Sequence, residues 1–159
     1  MPSGLVVGAL AVVNAFGDVI NPDTGQVIAG VRAADGKGLA DARAQIRAGA
    51  QGGAFGAGAN TTLVVVATNA QLTKTEATKV AQMTHDGLAR ALAPAHTSFD
   101  GDIVFTLATE TLDKALEGPS DLMTIGTLAA DVAARAIVRA ATQSSGLPGL
   151  PSASTLGAP

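Results

Sequence analysis

Apolar and polar positions alternate in blocks along this chain, and each block predicts an element. Residues 4–20 are rich in Val and Ala and read as one or two strands, interrupted by Gly8 and Asn14. Turn chemistry follows at 21–26, where Asn-Pro precedes Asp and Gly. Residues 27–34 read as a further strand, so the pair predicts a hairpin. Residues 39–50 predict a short helix with Asp41, Arg43 and Arg47 on its polar side. The run TLVVVA, 62–67, is consecutively apolar, the mark of a strand covered on both faces. Thr73 and Glu76 match a capping box. Behind it Ala77, Val80, Ala81, Thr84, Leu88 and Ala91 share one helical face, and Pro94 stops the helix. Residues 102–109 predict another strand. Ser120 and Asp121 open a long helix to about Gln143, apolar nearly all round and therefore covered on two sides. Residues 143–159, rich in Pro, Gly and Ser, predict a disordered tail. Residues 1–142 thus read as a single α/β domain, a layered sandwich with helices outside and sheets inside.

Composition narrows the function classes. Charged residues make up 14% of the 159, against a usual share of about 25%. So little charge predicts surface covered by other chains or layers, and together with the nearly all-round apolar helix it predicts association into a homo-oligomer. The net charge of -3 with no basic run argues against nucleic acid as a partner. The absence of cysteine removes disulfides, thiolate metal sites and cysteine nucleophiles. Two histidines are too few for a histidine-rich metal site, and nothing calls for a cofactor. No apolar run approaches the roughly 18 residues of a membrane helix. The N-terminal stretch lacks a basic start and is broken by Asn14 and Asp18, so it reads as a strand and not as a signal peptide. A cytoplasmic protein with no membrane partner is expected.

The segment GGAFGAGANTTLVVVATNA, 52–70, sets its most flexible residues directly before Asn60-Thr61 and a stiff strand directly after. One chemistry uses that order. The hydroxyl of Thr61 attacks the Asn60 carbonyl, the ester hydrolyses, and Thr61 becomes a new N-terminus whose amine serves as base for its own hydroxyl. Glycines let the backbone strain and move away; the β-branch of Thr narrows χ1. The same letters also open many ordinary strands. They spell a glycosylation sequon, for which nothing else indicates secretion, and they lack the Gly-Lys-Ser/Thr of a phosphate loop. Asp100 and Asp102 flank Gly101 before a strand. Residues two apart on an extended chain point the same way, so both carboxylates could face one site and hold an amine; Asp-Gly is equally a common turn dipeptide. His96 with Ser98 suggests a Ser-His-Asp reading, but no nucleophile elbow surrounds Ser98. His85, mid-helix beside Asp86, reads as structural. Asn14, inside an apolar strand, is either a satisfied structural amide or a donor to a developing oxyanion.

Three stretches together, VGALAVVNAFGDVI, NTTLVVVATNAQLTKTEATKVAQMTHDGLARALAP and HTSFDGDIVFTLATE, resemble the L-aminopeptidase/D-esterase family, which includes the β-aminopeptidases and nylon-oligomer hydrolases. The resemblance covers most of residues 4–140. It implies a four-layer αββα sandwich, an autocatalytic cut between Asn60 and Thr61, and amide hydrolysis by the released Thr61. It further implies that Asn14 stabilises the oxyanion and that Asp100 and Asp102 contact the nucleophile's amine. Thr with Asp-Gly-Asp is closer to the nylon-oligomer hydrolases than to the β-aminopeptidases, which use Ser with a Ser and a Glu. The substrate expected is a short peptide or an amide oligomer. Family members carry a long N-terminal region ahead of the stretch that begins here at Gly4, supplying strands and a catalytic Tyr or Lys. This sequence has no Tyr, and no lysine precedes Asn14, so it reads as the C-terminal part of the family's chain, with an incomplete sandwich. Two alternatives stand beside the hydrolase: a catalytically incomplete binding or assembly subunit, and an acyltransferase of a related fold.

Overall fold

The computed structural model describes residues 4–50 and 60–156. The glycine-rich run 52–59 lies outside the described residues. Strand β1 (Val7–Asn14) pairs antiparallel with β4 (Thr61–Thr68), and β4 pairs parallel with β6 (Ile103–Ala108), giving a three-stranded sheet in the order β1-β4-β6. The parallel pair is joined through helix α2 (Lys74–Ala91), as a parallel connection requires. A second, smaller sheet has the order β3-β2-β5, formed by β2 (Asp18–Ile20), β3 (Val27–Ala29) and β5 (Leu92–Ala93). The predicted hairpin is therefore made by β2 and β3, while the first apolar stretch divides into two strands in different sheets.

Helix α2 starts where the sequence predicts. The Thr73 hydroxyl accepts the Glu76 N–H at 3.3 Å, and the Glu76 carboxylate accepts the Thr73 N–H at 2.8 Å. Its apolar face buries Val80, Thr84, Leu88 and Ala91. Helix α3 (Pro119–Thr142) packs on α2 and on β1 and buries Ile125, Ala129, Ala133 and Ile137. Gly87 and Ala130 meet where the two helices cross: a Cβ on Gly87 would collide with the Ala130 carbonyl oxygen, so glycine sets how closely they approach. Helix α1 is a single short stretch, Ala42–Arg47, capped by Asp41. In the composition-biased C-terminal segment, residues Ala153–Leu156 form a 3-10 turn, with Ser152 and Ala153 buried.

The core lies between the helices and one face of β1-β4-β6, where Val64, Val66 and Val104 are buried. The consecutive apolar run of β4 predicts cover on both faces, yet among the described residues its burial alternates. Its other face, with Leu10, Val12, Leu63, Ile103, Phe105 and Leu107, is exposed. No helix among the described residues is long and apolar enough to cross a membrane.

Candidate active site

The register of the large sheet brings the sequence candidates to one end of it. Thr61, the first residue of β4, stands directly opposite Asn14, the last residue of β1. Directly opposed residues of an antiparallel pair share a face, so the Asn14 and Thr61 side chains emerge together on the open side of the sheet. On the other flank of β4, the chain leading into β6 makes a parallel bridge between Asn60 and Asp100. Asn14, Asn60, Thr61, Asp100 and Asp102, which span nearly ninety residues of sequence, thereby become neighbours.

The Asn60 carbonyl oxygen accepts two hydrogen bonds: the Thr61 hydroxyl donates to it at 2.6 Å, and the Gly101 N–H donates at 2.8 Å. A carbonyl bond of about 1.23 Å puts the hydroxyl oxygen within about 3.8 Å of the carbonyl carbon. That is close to the about 3–3.5 Å of an attacking pair. The hydroxyl that the sequence singles out is thus already held against the bond it would break.

The two carboxylates grip the surrounding backbone. Asp102 is almost wholly buried, its side chain 3% exposed. Its Oδ1 accepts the Thr62 N–H at 2.9 Å, and its Oδ2 accepts the His96 N–H at 3.3 Å and lies 3.0 Å from His96 Nδ1. Asp100 Oδ1 accepts the Phe16 N–H at 3.1 Å, two residues beyond Asn14, while its Oδ2 accepts the Thr97 N–H and hydroxyl. The ring of Phe16 stacks on Phe99, with centroids 5.2 Å apart. The two aspartates bind different partners, and Gly101 between them is the residue set beside Thr61. Among the described residues neither carboxylate bonds Thr61 itself. In the uncut chain the Thr61 nitrogen is a neutral amide that needs no counter-charge.

His96 does not face Ser98 as a Ser-His-Asp reading would have it; its partner is Asp102. Its ring packs edge-on against His85, centroids 4.9 Å apart. Burial, and then the proximity of His96, hold the His85 imidazole below its usual pKa. The one signal for His96 in the sequence is its place just ahead of Asp-Gly-Asp, which a turn explains as well. Beside Asn14 an open cavity of about 530 Å³ is walled by Ala11, Val13, Gly17, Ala29 and Ala140, small and mostly apolar. Among the described residues no group of three or more His, Asp or Glu side chains is arranged to hold a metal ion.

Comparison with known proteins identifies a family. Residues 1–153 match Peptidase family S58. An uncharacterised aminopeptidase of Mycobacterium tuberculosis is 38% identical over 164 residues, covering 95% of this chain and 48% of its own length. A 6-aminohexanoate-oligomer endohydrolase of Paenarthrobacter ureafaciens is 33% identical over 54 residues, 34% of this chain and 15% of that enzyme. A β-aminopeptidase structure from Burkholderia sp. aligns with 86% of this chain and 41% of its own, at 22% identity and a TM-score of 0.42. The chain spans about half the length of the mycobacterial relative it matches. With the family matched over nearly its whole length, this chain belongs to Peptidase family S58, the L-aminopeptidase/D-esterase family.

Proposed function

We propose that this chain is the nucleophile-bearing part of an amide-bond hydrolase that frees Thr61 by cutting itself after Asn60. The observation that supports this most is the Thr61 hydroxyl donating to the Asn60 carbonyl at 2.6 Å, with Asn14 across the strand pair. In the first step the hydroxyl oxygen bonds to the Asn60 carbonyl carbon, the Asn60–Thr61 C–N bond breaks, and the hydroxyl proton passes to the leaving nitrogen. Water then hydrolyses the ester, restoring the hydroxyl and leaving a carboxylate on Asn60. The new α-amine has a reference pKa of about 7.7–8.0, so near neutral pH part of it is a free base, able to take the proton from its own hydroxyl as that oxygen attacks a substrate amide. Asn14 donates to the oxyanion. Asp100 and Asp102, one on each side of Gly101, hold the amine once the cut has made it a cation.

The substrate class proposed is a short peptide or an ω-amino-acid oligomer, in keeping with the names of the relatives. The exposed apolar face of β1-β4-β6 is the inner face of an αββα sandwich, covered by a second sheet or by another copy of the chain.

Denaturing mass spectrometry and N-terminal sequencing of the folded protein test the reading. The wild type is expected as two pieces divided at Asn60-Thr61, with hydrolysis of short amide oligomers, and Thr61→Ala as one inactive piece. An intact wild type, or a cut elsewhere that persists in Thr61→Ala, removes the mechanism and leaves the binding or assembly subunit in its place.

A further inference from the structure

We infer that the backbone N–H of Gly101 is a second oxyanion donor, used first on the protein's own scissile carbonyl and then, once Asn60 has left, on the carbonyl of each substrate. The inference rests on the self-cutting reading above and adds a group that neither the sequence nor the family comparison assigns. Three observations lead to it. The first is the pair of donors on Asn60 O: a carbonyl in a regular ladder takes one, whereas this one takes the Gly101 N–H at 2.8 Å and the attacking hydroxyl at 2.6 Å. The Gly101 N–H draws electron density onto the oxygen and stays in place as it becomes an alkoxide, whereas the Thr61 hydroxyl gives up its proton to the leaving nitrogen as its oxygen attacks. The second is position. Asn60↔Asp100 is an isolated bridge, separate from the β4–β6 ladder that begins at Leu63 and Ile103. When the chain is cut, the acceptor leaves and the donor stays, because Asp100 and Asp102 fix both sides of Gly101 through Phe16, Thr97, Thr62 and His96.

The third observation is why residue 101 is glycine. Its φ lies outside the left-handed region, so backbone conformation does not demand it. Space does: a Cβ there would stand 2.8 Å from the Thr61 hydroxyl oxygen and 3.6 Å from Asn60 O. Any side chain would press on the nucleophile and fill the place where a substrate carbonyl must enter. The Asp-Gly-Asp spacing is thus two anchors around one exposed amide. With Asn14 on the β1 flank and Gly101 on the β6 flank, the nucleophile has a donor on each side.

Replacing the Gly101 N–H with an ester oxygen, by incorporating glycolic acid at position 101 in the full-length chain, removes the donor and adds no side chain. The ester chain is expected to self-cut about 10²–10³-fold more slowly than wild type, the usual effect of losing one such donor, with an unchanged far-ultraviolet circular dichroism spectrum. A folded ester chain that cuts within a few-fold of wild type overturns the role of Gly101 and leaves the self-cut standing. A wild type that stays whole overturns both. Should the ester chain fail to fold, amide hydrogen exchange decides. The Gly101 N–H is expected to be protected in whole Thr61→Ala and to exchange freely in cut wild type. Protection in both means that it is bonded elsewhere and cannot meet a substrate.

Discussion

Two adjacent threonines show how finely the environment sorts identical side chains. Thr61 faces the open side of the sheet with its hydroxyl on the Asn60 carbonyl, whereas Thr62 points into the core and is fully buried. The Thr62 hydroxyl has no hydrogen-bond partner among the described residues. A buried hydroxyl without a partner costs about 1–3 kcal/mol of desolvation, while the methyl group beside it packs as a valine would. Thr62→Val is therefore expected to raise stability by about 1 kcal/mol and to leave the Thr61 cut intact. Urea denaturation reads this directly, and a fall in the midpoint at constant slope would mean that the hydroxyl is bonded and needed. Sequence pattern located both threonines at the head of a strand. Which one faces out follows only from the pairing with Asn14, since a one-residue slip exchanges the faces.

At the scale of elements, a single carboxylate ties the small sheet to the first helix. Asp18, fully buried in β2, accepts the Val31 N–H at 2.8 Å through Oδ1 and the Ala42 N–H at 2.6 Å through Oδ2. Burial raises the carboxyl above its usual pKa, more than the two N–H donors lower it. Removing the charge thus returns something, but stranding two donors costs about 1–3 kcal/mol each and leaves a void. Asp18→Ala is expected to destabilise the protein by at least about 2 kcal/mol on that balance. Chemical denaturation with an unchanged slope is the measurement, and a loss below half that figure would show that water replaces the carboxylate. In the sequence Asp18 shows only as an interruption of an apolar run. Its partners lie 13 and 24 residues away, which no local pattern reports. The neighbouring Asp41 is the legible case. It caps α1 through the Arg43 N–H, and the Arg43 side chain holds its carboxyl at about 2, all within a few residues.

At the scale of the molecule, the low charge fraction and the open sheet face describe one fact from two sides. Leu10 is 69% exposed, Val12 61%, Phe105 53% and Leu107 55%, and large contiguous apolar faces of this kind mark interfaces. The protein is expected to self-associate through this face, and Phe105→Lys is expected to shift it toward monomer with the fold preserved. Sedimentation velocity across a concentration series measures this; a wild type that stays monomeric at high concentration sinks the expectation. The end of the sheet that carries Thr61 and Asn14 opens on the same side as this face. On the proposed function, a cover over Leu63 and Phe105 would also shield the Thr61 hydroxyl from water, so turnover is expected to fall when Phe105→Lys weakens association.

What the sequence determined by itself was local. The capping box at Thr73, the apolar face of α2, the strand after Thr61 and the candidacy of Thr61, Asn14, Asp100 and Asp102 all follow from spacings of a few residues, where propensity, side-chain period and short-range hydrogen bonding act. The family resemblance extended that reading to roles. The tertiary structure decided what depends on register between distant strands. It set Asn14 and Gly101 on the two flanks of Thr61, turned His96 toward Asp102 instead of Ser98, and left one face of β4 open although its run of valines reads as doubly covered. The reason is physical. A consecutive apolar run states that both faces prefer to be dry, not what covers them, and a glycine between two aspartates states that a side chain is unwelcome, not which atom would be struck. Those answers belong to neighbours that are close only after the chain has folded.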